Sequence, residues 1–118
     1  MKSIVLKDKG AFEYSENAMD KPVPGEGQVL IKVECAPLNP IDLIFMQGKY
    51  STNIDYPVVL GGEGSGTVIA SGGGLLAWRL VGKRVAFSQI ISGAGFKSGG
   101  AFAEYAIVDR HYCLVLPN

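Results

Sequence analysis

Histidine is nearly missing from this chain of 118 residues: His111 stands alone, and cysteine occurs twice, at Cys35 and Cys113. The cysteines lie far apart, each in an apolar run. They make no disulfide framework, and a reducing cytoplasm is the expected compartment. A single imidazole leaves little room for a Ser-His-Asp constellation. No CxxC or HxxxH pair occurs, and the one-residue gap between His111 and Cys113 is a poor zinc spacing. Excess charge is lacking too. Eleven Lys+Arg balance eleven Asp+Glu, so the total gives no footprint for nucleic acid or an anionic membrane. No apolar run reaches about 18 residues, and the opening MKSIVLKDKG is neither a signal peptide nor a span. Phosphate loops are absent as well. Gly62, Gly64 and Gly66 alternate, but Thr67 stands where G-x-G-x-x-G needs its last glycine. The GAGFKS run from Gly93 fails in the same way at Ser98.

What is present suits a folded domain. The chain is 47% hydrophobic and 19% charged, with 16 glycines, which excludes a disordered tail. At this length roughly two-thirds of the unfolded surface can be buried, so residues 1–118 read as one domain that needs no metal or disulfide staple. They are too few to hold a dinucleotide-binding domain and a substrate domain together.

Short strands dominate. Residues 3–6 are β-branched, and residues 28–36 (QVLIKVECA) alternate cleanly. Val29, Ile31, Val33 and Cys35 fall on one face, with Lys32 and Glu34 on the other. Residues 58–60, 66–70, 84–87, 102–108 and 112–116 are further strands, separated by Gly- and Pro-rich turns such as KPVPGEG and SGGG. Residues 90–100 read as a loop. Between them, PLNPIDLIFMQGKY changes character. Asn39 can cap a helix, Pro40 suits its first position and Asp42 its first turn, with Leu43, Ile44 and Met46 following and Gly48 closing about two turns. Many short strands with one short helix predict a β-barrel or sandwich.

Three side chains hold the chemical interest. Glu63 is the only charged residue between Tyr56 and Trp78 and has glycine on both sides. A carboxylate there is costly unless paired or solvated, so it is either a site acid or a turn residue facing water. Asn39 and Tyr50 bracket the helix. They either cap and pack locally or aim hydrogen-bond donors into a cleft.

Five stretches in series carry a resemblance: PVPGEGQVLIKVECAPLNPIDL, MQGKY, YPVVLGGEGSGTVIASG, VGKRVAF and GGAFAEYAIVDRHYCLVLP. Together they cover nearly the whole chain. Their order and spacing resemble the N-terminal, GroES-like half of the medium-chain dehydrogenase/reductase superfamily, with the zinc-independent quinone oxidoreductase branch most similar. The resemblance implies a mainly β fold, a partly open barrel with one or two short helices, forming one wall of a cleft. The other wall would be a Rossmann domain carrying NAD or NADP, expected after residue 118. Where the alcohol dehydrogenase branch places zinc-binding Cys and His, this chain has Asn39, Pro40 and Gly62, so no zinc is expected. Asn39 and Tyr50 match cleft residues of the quinone oxidoreductase branch and are the implied catalytic pair. Asp42, Gly62 and Glu63 line the same region, although Gly62 replaces the usual His or Thr and Lys83 a common Asp.

The implied reaction passes hydride from NAD(P)H to a quinone or to the β-carbon of an enone. Tyr50, protonated at neutral pH, would donate to the substrate oxygen, and Asn39 would position the nicotinamide or the carbonyl. Asp42 and Glu63 would organise the site. The full-length form is expected to be a cytoplasmic homodimer acting on a small molecule, with the 118-residue chain alone catalytically silent. Two alternatives stay open: a 2-alkenal or enoyl reductase with the same chemistry, and a stand-alone GroES-like module working through protein contacts.

Overall fold

A computed structural model of the chain describes residues 1–47, 56–88 and 100–117. The expected loop at 90–100, Gly48 and Tyr50 therefore lie outside the described residues, apart from Gly100. Among the described residues eight strands form two antiparallel sheets. In chain order the elements are β1 (Ser3–Asp8), β2 (Ala11–Ser15), β3 (Gln28–Cys35), α1 (Pro40–Met46), β4 (Val58–Val59), β5 (Glu63–Ser71), α2 (Leu75–Trp78), β6 (Arg84–Ser88) and β7 (Tyr105–Asp109). A 3-10 turn (Arg110–Tyr112) then leads into β8 (Cys113–Val115). One sheet runs β2-β1-β4, the other β7-β3-β5-β6-β8. The sheets do not close into a barrel, in keeping with a partly open GroES-like domain.

The larger sheet builds the main core. Val29 and Ile31 of β3, Val68 of β5, Val85 and Phe87 of β6, and Ala106 and Val108 of β7 are buried together, with Ala77 of α2 set against them. Side chains on one face recur every second residue, which is why the alternation of β3 was readable. That alternation does not persist to its end. The register of β3 against β5 shifts between Leu30 and Ile31 and again between Val33 and Cys35. The first shift leaves Ile69 of β5 as the extra residue, the second Glu34 of β3. The second bulge turns the end of β3, so Cys35, expected on the core face, is exposed.

A second, smaller core joins Leu6 of β1, Val58 of β4, Leu60 and Phe45 of α1. Here the two sheets are pinned by backbone bonds. Ile4 N donates to Phe102 O (2.8 Å), Phe102 N to Leu60 O (2.8 Å) and Leu60 N to Ile4 O (3.0 Å). Gly61, at φ +105°, makes this junction possible, because a Cβ there would come within 2.8 Å of Phe102 N and 2.9 Å of Ala101 N. Only glycine adopts that backbone without strain in so little space.

Helix α1 begins where the Asn-Pro signal placed it, with Asn39 at the N-cap and Pro40 at the first position. Asp42 and Phe45, three residues apart, point inward, whereas Leu43 and Ile44 are exposed. Two elements had no reading in the sequence, β2 and α2. The strand expected from residue 102 starts at Tyr105. Among the described residues no helix is long and apolar enough to cross a membrane.

Candidate functional site

The start of α1 faces the entry to β5, and four of the proposed site residues meet there. Asp42 sits in the first helical turn, 1% exposed. Its carboxylate accepts from Asn39 N at 2.8 Å and from Gly62 N at 3.1 Å. One bond closes the helix end, as the third residue of a capping box does. The other crosses to the β4–β5 connection, so a single buried acid ties two segments twenty residues apart. Both bonds go to an acceptor-only group, which satisfies the charge that burial would otherwise penalise.

Asn39 completes the arrangement. Its side-chain amide nitrogen donates to Glu63 Oε1 at 2.9 Å. Glu63 is the first residue of β5 and pairs with Ser88 on β6, so a strand end holds the carboxylate. A carboxylate only accepts, and so it orients the amide with its N–H side inward. Both side chains are half-buried. Of the alternatives left open for Glu63, pairing is what the structure shows. Asn39 occupies the cap position and also reaches across to β5.

Asn39, Asp42, Gly62 and Glu63 thus form one connected unit. Tyr50 falls outside the described residues, and so does its relation to this unit. The glycine alternation, already excluded as a nucleotide cradle by its register, has a structural cause. Gly64 and Gly66 lie within β5 opposite Phe87 and Val85, flanked on the other side by β3. Their backbone is embedded in a sheet, with no turn to wrap a pyrophosphate. Two contributors went unnoticed in the sequence. Gly61 sets the loop that presents Gly62 N, and Gly100 lets the neighbouring segment approach, since a Cβ there would stand 2.1 Å from Leu60 O.

A metal finds a poor donor set here. Asn39 and Glu63 are bonded to each other, Pro40 and Gly62 offer no side-chain ligand, and among the described residues no three His, Cys, Asp or Glu come together. His111 lies elsewhere, beside β8. Its Nδ1 is 2.7 Å from Asp109 Oδ1, and its backbone N donates to the same oxygen at 2.9 Å. Those bonds, the backbone one foremost, hold the Asp109 carboxyl below the usual range.

The fold as a whole has counterparts among known proteins. The family model of the alcohol dehydrogenase GroES-like domain matches residues 25–118. The chain belongs to that family. A quinone oxidoreductase of Lama guanicoe is 34% identical over 120 residues, covering all of this chain and 34% of the relative. A zinc-type alcohol dehydrogenase-like protein of Schizosaccharomyces pombe is 35% identical over 97 residues, 82% of this chain and 28% of the relative. Among solved structures, the quinone oxidoreductase of Thermus thermophilus, also crystallised with NADPH, superposes with a TM-score of 0.72 at 29% identity. It covers the whole chain and 33% of that protein. The GroES-like chain therefore spans about a third of the length of these relatives.

Proposed function

We propose that this GroES-like domain is the substrate-side wall of an NAD(P)H-dependent oxidoreductase that reduces quinones or related enones, without zinc. The observation that carries this reading is the Asn39–Glu63 bond braced by Asp42. It supports the reading by giving the start of α1 an oriented amide in place of a metal ligand set. The names of the Lama guanicoe and Thermus thermophilus relatives support the acceptor class, and the NADPH complex of the latter supports the cofactor. The zinc-type name of the yeast relative points the other way on metal. The donor set of Asn39, Pro40, Gly62 and Glu63 favours the zinc-free reading.

The bound nicotinamide would supply hydride. The described residues offer no cradle for its phosphates, so the part of the protein that holds the cofactor would lie outside this domain. One N–H of the Asn39 amide is engaged by Glu63, and the other is left to donate to the substrate oxygen on which negative charge grows. A donor aimed there contributes about 2–4 kcal/mol of transition-state stabilisation when water is kept out. Glu63 keeps the amide from rotating and Asp42 keeps the helix start in place, so both act as positioning residues. Tyr50 would be the second donor and the source of a proton to the reduced oxygen.

The test is NADPH oxidation with 1,4-benzoquinone in the protein joined to a nucleotide-binding domain. Asn39→Ala should lower kcat/KM by about 10²-fold. Glu63→Gln, which replaces an acceptor-only group by an amide able to present the wrong end, should lower kcat more than it raises KM. Addition of a zinc chelator should change neither. Unaltered kinetics in Asn39→Ala would overturn the reading.

A further inference from the structure

Helix α2 has an outward face that the hydride-transfer reading leaves unused. Ala77 is buried in the main core and Leu80 packs against it. On a helix, the residues opposite Ala77 are Leu75 and Arg79, with Leu76 and Trp78 on the flanks. These apolar side chains are exposed: Leu75 by 68%, Leu76 by 51% and Trp78 by 63%. Bonds from Leu80 N to Ala77 O, Val81 N to Trp78 O and Lys83 N to Leu80 O curl the chain directly into β6. Residues 75–84 thus form one surface knob, tied to β5 by Gly82 N to Val68 O and Val68 N to Lys83 O, with Val81 also exposed.

The charges around this knob are of one sign within its own segment. No Asp or Glu occurs between Glu63 and Glu104, whereas Arg79, Lys83 and Arg84 all fall there. Two acids approach from other strands and turns. Glu34 of β3 lies 3.8 Å from Arg84, and Glu26 passes beside Gly73 at the entry to the helix. Among the described residues neither Arg79 nor Lys83 has a carboxylate partner. Exposed leucines and a tryptophan beside unpaired cations make a surface whose apolar part favours acyl chains and whose rim favours anionic headgroups. The balanced total charge conceals this local excess.

We propose that residues 75–84 are a peripheral docking surface for an anionic phospholipid bilayer, with Leu75, Leu76 and Trp78 entering the interface and Arg79 and Lys83 meeting headgroup phosphates. The chain has one tryptophan, so its fluorescence reports on the knob alone. With the full chain, vesicles of phosphatidylcholine and phosphatidylserine should shift Trp78 emission to the blue and carry the protein upward in flotation. Phosphatidylcholine alone should bind at least several-fold less, and high salt should reverse the shift. Arg79→Glu with Lys83→Glu should lower partitioning by roughly tenfold or more. Leu75→Ser with Leu76→Ser should abolish it, with circular dichroism unchanged because these positions are exposed. Failure of serine-containing vesicles to shift the emission would overturn the proposal, as would equal binding to neutral ones. So would emission already blue and shielded from quencher before lipid is added, which means another protein segment covers the knob. A blue shift that follows protein concentration without vesicles would assign the surface to a second copy.

Discussion

Asp42 shows how one side chain can be read twice. As a first-turn acid after Asn-Pro it follows from helix-end electrostatics, and the sequence places it there. Its second role, accepting from Gly62 N at 3.1 Å, depends on a segment twenty residues away that no local pattern reveals. Asp42→Asn keeps the size of the group but turns an NH2 toward one of two backbone donors. That substitution should cost about 1–3 kcal/mol, read as a lower urea midpoint at unchanged slope. Asn39→Ala, by contrast, removes a half-exposed side chain and should destabilise less than it impairs catalysis. A larger stability loss in Asn39→Ala than in Asp42→Asn would contradict this ordering.

Elements with a buried face were the legible ones. β3 was readable from its alternation, and β5, β6 and β7 from short apolar runs bounded by turn residues, because one face of the sheet packs on the core. β2 has no buried residue, so its strand character comes from pairing with β1 alone and left no periodic trace. α2 follows SGGG without a capping side chain and owes its place to Ala77, the one small residue that fits under it. In α1, a seven-residue helix offers only one turn of inward face, and Asp42 and Phe45 take it. Bulges mark the other limit of periodic reading. Gly66, between the two register shifts of β3 against β5, lies so close to that strand that a Cβ would stand 2.1 Å from Lys32 O. Gly66→Ala should therefore destabilise the domain by about 2–3 kcal/mol, measured by thermal or urea unfolding. An unchanged midpoint would mean that the strands separate freely at this point.

At the scale of the whole molecule, the larger core controls the chemistry of a residue far from the cleft. Cys113 packs against that core, and burial, with Asp109 adding to it, pushes its thiol up to about 11. The unfolded chain loses this proton near pH 9, the folded one later. Stability linked to the thiol is thus complete below pH 9 and falls as pH rises from about 9 to 11. Cys113→Ala should flatten that part of the alkaline unfolding profile. At pH 8 a thiol reagent should modify exposed Cys35 rapidly and Cys113 only after unfolding. By itself the sequence determined what depends on neighbours along the chain: the strand alternation, the start of α1, the weak metal-ligand inventory and the ordered motifs that resemble the GroES-like family. Only the tertiary structure decided that Asn39 bonds Glu63, that Asp42 joins α1 to Gly62, that Cys35 leaves the core and that Arg79 and Lys83 have no carboxylate partner among the described residues. The physical reason is range. Periodicity and capping act over a few residues, whereas hydrogen bonds across sheets, bulges and charge neighbours are set by segments brought together only when the chain folds.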